Sequence, residues 1–423
     1  MDLKTLGKDV IFKRKPANTE LSRSLSKVAW RKFRRNPIAM FGLSIIVLSV
    51  IISVLGSLIR PDDTEFANNQ IKSIARKSPG FSCYILHVQV NAEVEQPAWY
   101  TRMFFGGKKL EEDLIPIEWY NFDEAGYITF KKYESSNNKR SLADVVYKLD
   151  PSIKPEVVGD AVKFTTLEGE EKTENIAELQ SKIEGGYIHE DTFWLGTDAV
   201  GRDVLSRLMS GTIISLLVGC ISVFISLLVG VTLGAAAGFF RGTVDDGIMW
   251  LINVVWSIPT LLFVIAFSMA FGKGYSSVYI AVGLTMWVEV ARIVRGQVLT
   301  IREKEFIEAG RALGYKSFRI IFRHALPNVM GPVIVIAAAN FASAILIEAG
   351  LSYLDLGTQA PQASWGKMIS DYKSFIDNPD LAYLPILPGI CIVIMVLAFM
   401  LVGNGIRDAI DTKSGENITP PAS

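Results

Sequence analysis

The segment EAGRALGYKSFRIIFRHALP, residues 308–327, lies between two long apolar stretches of the chain. It consists largely of helix-forming residues and is cationic, since residues 292–324 carry eight Lys or Arg against three Glu. Short basic loops between membrane spans stay in the cytoplasm. The segment therefore predicts a helical cytoplasmic loop that separates two membrane-spanning helices.

Apolar runs of membrane-spanning length extend on both sides of this loop. A helix needs about 20 mostly apolar residues to cross the hydrocarbon core of a bilayer. Half of the 423 residues are hydrophobic, and 43 Lys or Arg balance 43 Asp or Glu. Six runs have the required character: residues 38–59, 213–239, 248–271, 278–294, 329–347 and 384–402. They predict a mainly α-helical, polytopic protein of the lipid bilayer with six spans.

The distribution of basic residues predicts the orientation of these spans. Several Lys and Arg precede the first run, which places the N-terminal segment 1–37 in the cytoplasm. This segment is longer than the basic region of a typical signal peptide, and no small-residue cleavage site follows residue 59, so we interpret span 38–59 as an uncleaved anchor. Six crossings return the tail 411–423 to the cytoplasm. Both termini are thus expected on the cytoplasmic side of the membrane.

Residues 60–191 then lie outside the cell or in the periplasm. This segment has 24 Asp or Glu against 16 Lys or Arg. YILHVQV (84–90) and YITFKKY (127–133) alternate like strands, whereas residues 141–149 and 173–183 have helical patterns opened by Ser or Thr. We predict a compact α+β domain inserted between spans one and two, followed by a core at 192–410 that contains spans two to six.

Residues suited to metal or cofactor chemistry are sparse. The three histidines are far apart in the sequence, and only one cysteine, Cys83, lies outside the spans. We therefore expect no metal site, no internal disulfide and no cofactor. The carboxylates of the insert are better interpreted as a solvated surface than as a catalytic pair, and we expect no nucleic-acid partner.

The cytoplasmic loop 295–328 has an internal break. Residues 299–313 (LTIREKEFIEAGRAL) predict one helix, Gly314 interrupts it, and residues 316–325 (KSFRIIFRHA) resume a helical pattern before Pro327 marks the next boundary. Glycine permits the left-handed backbone that ends a helix. The pattern predicts a helix-turn-helix at the cytoplasmic face, whose cations suit anionic lipid or a protein partner.

This segment resembles the EAA motif of binding-protein-dependent ABC permeases. Glu308 and Ala309 match its first two positions and Gly314 has the expected spacing, whereas Gly310 stands where the family usually has the similarly small Ala. The resemblance implies that residues 303–313 form a coupling helix in a groove of a separate ATPase subunit. The contact residues so implied are Glu303, Phe306, Glu308, Ala309, Gly310, Ala312, Leu313 and Gly314. The alternative is that Glu308 is only a solvated residue paired with nearby cations.

Three further motifs narrow the resemblance. FWLGTDAVGRDVLSRLMSGTIISL (193–216), GLSYLDLGTQAPQASWGKMI (350–369) and PGICIVIMVLAFMLVGNGIRDAID (388–411) resemble, in this order, segments of the C-type permease subunit of dipeptide and oligopeptide ABC importers. The resemblance implies a location in the inner (cytoplasmic) membrane of a bacterium. It also implies a homologous B-type permease, one or two ATP-binding subunits and an external solute-binding protein as partners. Nickel chelates and other peptide-like solutes stay open as cargo. Ordinary members have a shorter segment between spans one and two, so the role of the insert is not implied.

The first of these motifs predicts an outer-face element. We expect residues 197–207 to form a short amphipathic helix on the outer surface. It serves either as a scaffold that closes the mouth of the pathway or as a contact for the solute-binding protein. Its candidate residues are Gly196, Thr197, Asp198, Gly201, Arg202, Asp203 and Arg207.

Ionisable groups and proline inside the spans are further candidates for the pathway or its gating. Charged groups in a membrane span are costly and therefore often functional. Glu289 is expected to pair with Arg292 one turn away, whereas Glu348 either lines a cavity or reaches water at the outer end of its span. Pro259 is expected to kink the third span.

Two other classes of function were weighed against an ATP-driven importer permease. The chain has no nucleotide-binding P-loop pattern, so ATP hydrolysis is assigned to a separate subunit, and the chain itself is not an enzyme. A membrane-anchored receptor or assembly factor acting through the outer domain is the alternative. A membrane-embedded hydrolase is disfavoured because neither a GxSxG nor an HExxH pattern occurs.

Overall fold

The computed structural model describes residues 25–104, 107–272 and 274–410. Residues 1–24 of the predicted N-terminal segment and the predicted tail 411–423 lie outside the described residues. The helices, in chain order, are α1 (Leu25–Arg34), α2 (Pro37–Ile59), α3 (Trp99–Phe104), α4 (Leu142–Val146), α5 (Ile176–Gly186), α6 (Val204–Phe240), α7 (Gly242–Trp256), α8 (Thr260–Phe271), α9 (Tyr275–Arg302), α10 (Glu305–Ala312), α11 (Ser317–Ile320), α12 (Leu326–Tyr353), α13 (Trp365–Tyr372) and α14 (Tyr383–Ile410).

The membrane-spanning part consists of five long helices and one bent pair. Within the described residues, α2, α6, α9, α12 and α14 are long and apolar enough to cross a membrane. Helices α7 and α8 pass the same test together but meet at 84°, across residues 257–259. The predicted polytopic, mainly α-helical fold with six spans is confirmed when the bent pair is counted as one span.

Local sequence explains where the first span begins. The side-chain oxygen of Asn36 accepts hydrogen bonds from the backbone N–H groups of Ile38 and Ala39, each 3.1 Å long. Pro37 occupies the first helical position, where its missing N–H costs nothing. This pair separates the cationic helix α1 from the apolar helix α2.

Helices α6 and α9 pack closely because small residues recur on α6. Gly230, Gly234 and Gly238 are spaced four residues apart, and a Cβ atom on any of them would lie 2.5–2.7 Å from atoms of α9. Lipid is as apolar as the side chains, so close backbone approach supplies much of the association energy between spans. The stripe therefore fixes α6 against α9, and the contact extends to the cytoplasmic ends of both helices.

The inserted segment folds into two antiparallel sheets. Its strands are β1 (Phe81–Gln89), β2 (Glu112–Asp123), β3 (Tyr127–Lys132), β4 (Asn137–Ser141), β5 (Glu156–Val158), β6 (Ala161–Thr165), β7 (Glu171–Asn175) and β8 (Ile188–Phe193). The larger sheet has the order β4-β3-β2-β1-β8, and the smaller has the order β5-β6-β7. One buried apolar cluster joins the sheets to helices α4 and α5. The predicted α+β character of the insert is confirmed.

Two helix boundaries in this domain differ from the prediction. The helix predicted at 173–183 begins at Ile176, because Asn175 caps it by accepting a bond from the N–H of Ala177. Thr173 instead pairs with Lys163 in the sheet, which suits its β-branched side chain. The helix predicted at 141–149 is shorter, and only α4 forms.

The cytoplasmic loop also differs in detail. The helix predicted at 299–313 is broken after Arg302, and α10 starts anew at Glu305. Pro327 does not mark a boundary, because α11, a π turn at Ile321–Ala325 and α12 form one continuous helix. In the π turn, the N–H of Leu326 bonds to the carbonyl of Ile321, five residues back. The chain thus adjusts its bonding just before the proline, which has no N–H to donate.

Candidate functional site

Helix α10 ends in a well-formed glycine cap. The N–H of Gly314 donates to the carbonyl of Arg311 at 2.9 Å, and the N–H of Tyr315 donates to the carbonyl of Gly310 at 3.1 Å. Gly314 has φ of +74°, the left-handed conformation that this Schellman motif requires. The structure therefore contains a helix-turn-helix whose turn is centred on Gly314.

One face of α10 is anchored in the protein. Ile307 and Gly310 are buried, and Ile307 belongs to an apolar cluster with Val298 of α9 and with Ile320 at the end of α11. A Cβ atom at Gly310 would lie 3.5 Å from the Tyr315 ring, an ordinary contact distance. The buried side therefore tolerates the Ala that is usual in the EAA motif.

The opposite side of this segment is exposed and apolar. Phe306, Leu313, Phe318 and Phe322 are between 46% and 71% exposed, and the rings of Phe318 and Phe322 stack with centroids 5.2 Å apart. We call these four residues the coupling face. Glu308, Ala309 and Ala312 are also exposed, and Glu308 makes no ion pair within the described residues.

Ion pairs fix the helices around the coupling face. Arg241 pairs with Glu303 at 2.5 Å, which ties the end of α6 to the break between α9 and α10. Arg295 makes two parallel bonds of 2.6 and 2.7 Å to Asp245, which tie α9 to α7. Of the predicted contact residues, Glu303 is thus engaged within the chain, whereas Glu308 and the coupling face are free for another surface.

The predicted outer-face motif is buried and mostly non-helical. Residues 197–203 form a tight loop before α6, so the predicted amphipathic helix at 197–207 is wrong. Gly196 and Gly201 have φ of +72° and +83°, and a Cβ atom on either would lie within 2.3 Å of a backbone oxygen. A surface helix is impossible with this backbone, and Asp203 instead caps α6 by accepting a bond from the N–H of Ser206.

Asp198 is the centre of this loop. Its carboxylate, fully buried, accepts bonds from the N–H groups of Val200 and Arg202, from Arg202 Nε at 2.6 Å and from the Tyr372 hydroxyl at 2.8 Å. Burial, together with the Asp198 charge, raises the pKa of Tyr372, so the phenol stays protonated as a donor. The motif thereby joins α6 to α13 across 174 residues of sequence.

The same loop holds the root of the inserted domain. Thr197 Oγ1 accepts a bond from the N–H of Lys77 at 2.9 Å, and the N–H of Asp62 donates to Ser206 Oγ at 2.9 Å. Arg207, buried to 1% exposure, donates to the carbonyls of Phe66 and Pro361 at 3.1 and 2.8 Å. Of the two roles predicted for the motif, this geometry favours the scaffold.

Two of the charged residues in the spans have partners that were not predicted. The Arg292 guanidinium lies 3.6 Å over the Trp256 ring and donates to Asn253 at 3.0 Å, so the predicted pair with Glu289 is wrong. Glu348 does not reach water, because it is 1% exposed and accepts a bond from Ser352 at 2.7 Å.

Pro259 and two residues that the sequence did not point to complete the site. Pro259 immediately precedes α8, at the 84° break. Tyr372 and Asn340 were missed, since nothing in the local sequence shows that a tyrosine contacts Asp198 or that an asparagine is buried inside a span. Asn340 does carry a signal in retrospect, because it is an amide in the apolar run 329–347.

Comparison with known proteins agrees with this architecture. Residues 230–415 match the family described as binding-protein-dependent transport system inner membrane component, and residues 24–79 match the N-terminal transmembrane domain of oligopeptide transport permease C. The chain is 41% identical over 223 residues to the oligopeptide transport system permease protein OppC of Bacillus subtilis, covering 52% of this chain and 72% of that protein. It is 38% identical over 220 residues to the glutathione transport system permease protein GsiD of Pectobacterium atrosepticum, with the same coverage. A chain of the inward-facing MetNI methionine ABC transporter aligns with a TM-score of 0.42 at 19% identity, covering 48% of this chain and 96% of that one.

The family models and the two permease relatives define a membrane-embedded permease subunit of a binding-protein-dependent transport system. The chain belongs to the C-type permeases of the peptide ABC transporter family. It is a multi-pass inner-membrane transport subunit and not itself an enzyme. The part of the insert after residue 79 lies outside both matched regions.

Proposed function

We propose that this chain forms half of the translocation pathway of an ATP-driven importer for short peptides. In this proposal the coupling face and Glu308 bind a separate ATPase subunit, and a B-type permease completes the pathway. A solute-binding protein delivers cargo from outside. The oligopeptide and glutathione names of the relatives support a peptide cargo, because both describe molecules with amide bonds.

The observation that carries the coupling role is the contrast between the two sides of α10 and α11. Ile307 and Ile320 anchor the segment in the apolar cluster with α9, while four large apolar side chains are exposed. Clustered exposed apolar groups, rimmed by polar residues, mark protein interaction sites. Glu308, which makes no ion pair within the described residues, adds a carboxylate beside them.

Copurification tests this proposal. The complete operon is expressed, the complex is purified in detergent through a tag on this chain, and the ATPase subunit is quantified for wild type, Glu308→Ala and Leu313→Ser. Val158→Ser is the matched control, since Val158 is also an exposed aliphatic residue, 60% against 71% for Leu313, but lies in the outer domain. We expect wild type and Val158→Ser to retain the ATPase subunit and peptide uptake, and Leu313→Ser to lose most of both. If no ATPase subunit copurifies with wild type, or if Glu308→Ala and Leu313→Ser both support normal uptake, the proposal is wrong.

A further inference from the structure

A polar cavity lies in the middle of the membrane-spanning helices. It has a volume of about 240 Å3, and it is bounded by the break between α7 and α8, by α9 and by α12. Its polar lining residues are Thr260, Thr285, Glu289, Asn340 and Ser343. Cavities with a few convergent polar groups in an otherwise apolar wall are the usual form of small-molecule sites.

The depth of the cavity follows from helix geometry. Glu289 is 14 residues from the outer end of α9 and 13 from its inner end, so at 1.5 Å per residue it lies about 20 Å from each. Asn340 is 13 residues from the outer end of α12, again about 20 Å. The break at 257–259 likewise divides its span near the middle. Glu289, Asn340 and the break also lie inside the apolar runs 278–294, 329–347 and 248–271, so the cavity lies within the membrane-spanning part of the protein.

Two of these polar groups are unsatisfied within the described residues. Asn340 is 2% exposed, and its Nδ2 atom has no hydrogen-bond partner there. Burying an amide donor without a partner costs about 1–3 kcal/mol. Glu289 is exposed on the surface of α9 and makes no ion pair in the described part of the chain, because Arg292 contacts Trp256 and Asn253 instead.

A carboxylate inside a membrane span is costly when it faces lipid. Ionisable groups within spans lie in protein interiors or water-filled paths, where they mark substrate routes. The break between α7 and α8 also supports a cavity here. Backbone groups without helical partners are tolerated within the membrane only where they line a cavity or are buried in protein. This side of α9 and α12 therefore faces the pathway.

The groups in the cavity are complementary to one end of a peptide. Glu289 offers a negative charge for an ammonium group, and the exposed Ser343 hydroxyl offers a donor for a carbonyl oxygen. The Thr285 hydroxyl donates to the Val282 carbonyl at 2.8 Å, so its oxygen is left as an acceptor. We propose that this cavity is a transient subsite for the protonated amino terminus and first carbonyl of a short peptide in transit. The inference rests on the proposed peptide-import function and specifies where its cargo is held.

Uptake by the complete transporter in proteoliposomes, with its solute-binding protein present, provides the first test. Trialanine is the probe, and the variants are Glu289→Gln and Asn340→Leu. We expect Glu289→Gln to lower trialanine uptake by about tenfold or more, as for loss of a charge-assisted bond. Ser268→Ala is the matched control, because the Ser268 hydroxyl is also buried and unpartnered in a span but does not line the cavity.

A labelling experiment tests the site without relying on transport. Ser343, which lines the cavity, is replaced by cysteine in a complex whose native cysteines are removed from this chain. Its reaction with a cationic and with an anionic methanethiosulfonate reagent is then timed. We expect the cationic reagent to react at least about tenfold faster, since Glu289 raises its local concentration. Glu289→Gln should remove this preference, and trialanine should protect the cysteine better than N-acetyl-trialanine does.

The outcomes separate the two proposals. If the wild-type complex takes up no peptide, the proposed function fails. If wild type takes up trialanine and Glu289→Gln does so at the same rate, or if the charge preference at position 343 survives Glu289→Gln, the subsite is refuted while the peptide importer stands. A variant that fails to assemble is recognised by loss of the ATPase subunit on copurification. The subsite is then tested by the labelling rates of the assembled Ser343→Cys protein.

Discussion

Removing the carboxylate at the centre of the outer-face loop should destabilise the whole outer half of the protein. Asp198 is fully buried and accepts four hydrogen bonds, two from backbone N–H groups, one from Arg202 Nε and one from Tyr372. In Asp198→Ala the Arg202 guanidinium, 8% exposed, loses its carboxylate partner and keeps the bond to the Asn68 side chain. Breaking a buried pair by removing one partner costs about 3–5 kcal/mol.

Tyr372→Phe isolates one of these bonds. Burial raises the pKa of the phenol, so the hydroxyl stays a neutral donor to the carboxylate through physiological pH. A hydrogen bond to a charged group contributes about 1.5–3 kcal/mol, so this variant should lose about half as much stability as Asp198→Ala. The double variant should lose less stability than the sum of the two single losses, because both substitutions remove the same bond.

Thermal unfolding in detergent, followed by tryptophan fluorescence, measures these changes. Asp150→Ala is the control, since that exposed carboxylate bonds only to its neighbour Ser152 and should leave the midpoint unchanged. If Asp198→Ala unfolds at the wild-type temperature, the loop is not a scaffold. Loss of binding-protein affinity with unchanged stability would then favour the contact role instead.

Three further predictions follow from packing and burial. A Cβ atom at Gly234 would lie 2.5 Å from a carbonyl oxygen of α9, so Gly234→Ala should lower the stability of the permease by about 1–3 kcal/mol, whereas Gly296→Ala, with nothing within 4 Å, should not. Gly310→Ala should raise stability by about 0.5–1 kcal/mol and leave ATPase association unchanged, since the added methyl fits; a loss of association would contradict this. Burial, reinforced by nearby carboxylates, raises the pKa of Cys83 to about 11. In a protein whose two span cysteines are replaced, maleimide should therefore label Cys83 slowly at pH 8. The labelling rate should increase as the pH rises towards the pKa. Rapid labelling of the folded protein at pH 8 would show that the thiol is accessible.

The long-range character of the site limited what could be predicted from its sequence. The spans and the turn at Gly314 were predictable because each depends on local composition or on one residue with a distinctive backbone. The sequence also identified the outer-face motif, but it did not predict the conformation of its backbone. Glycines and charges at 196–207 suit an amphipathic surface as well as a buried loop, and Tyr372, which decides between them, is 174 residues away from Asp198.

The same limit applies to the charged residues of the spans. Glu289 and Arg292 have helical spacing, so a local ion pair was a reasonable expectation. The guanidinium instead contacts Trp256 and Asn253 on α7, a helix that the 84° break brings into position. Pro259 predicted a kink, but the size of the bend depends on packing that a single helix does not encode.

The cavity is connected through the chain to the helix-turn-helix formed by α10 and α11, and this connection defines how force can pass between them. Glu289 lies on α9, which leads into α10 through two residues, 303–304, while Asn340 lies on α12, which continues from α11. The α12 wall of the cavity is thus continuous with α11, and the α9 wall is joined to α10 across the break at 303–304. Gly314 is the joint that sets the angle between α10 and α11. Under the proposed function, a push on α10 is passed to both walls only if this joint keeps its shape.

Gly314→Pro should therefore separate ATP hydrolysis from transport. Proline fixes φ near −65°, whereas Gly314 has φ of +74°, and the substitution also removes the N–H that bonds to Arg311. Gly314→Asn is the matched control, because asparagine accepts the left-handed conformation and keeps its N–H. In the purified complex we expect Gly314→Asn to retain peptide uptake and Gly314→Pro to lose it, while ATP hydrolysis by the associated subunit continues. Equal uptake in the two variants would show that the angle between α10 and α11 does not transmit force, and that the joint is only a connection.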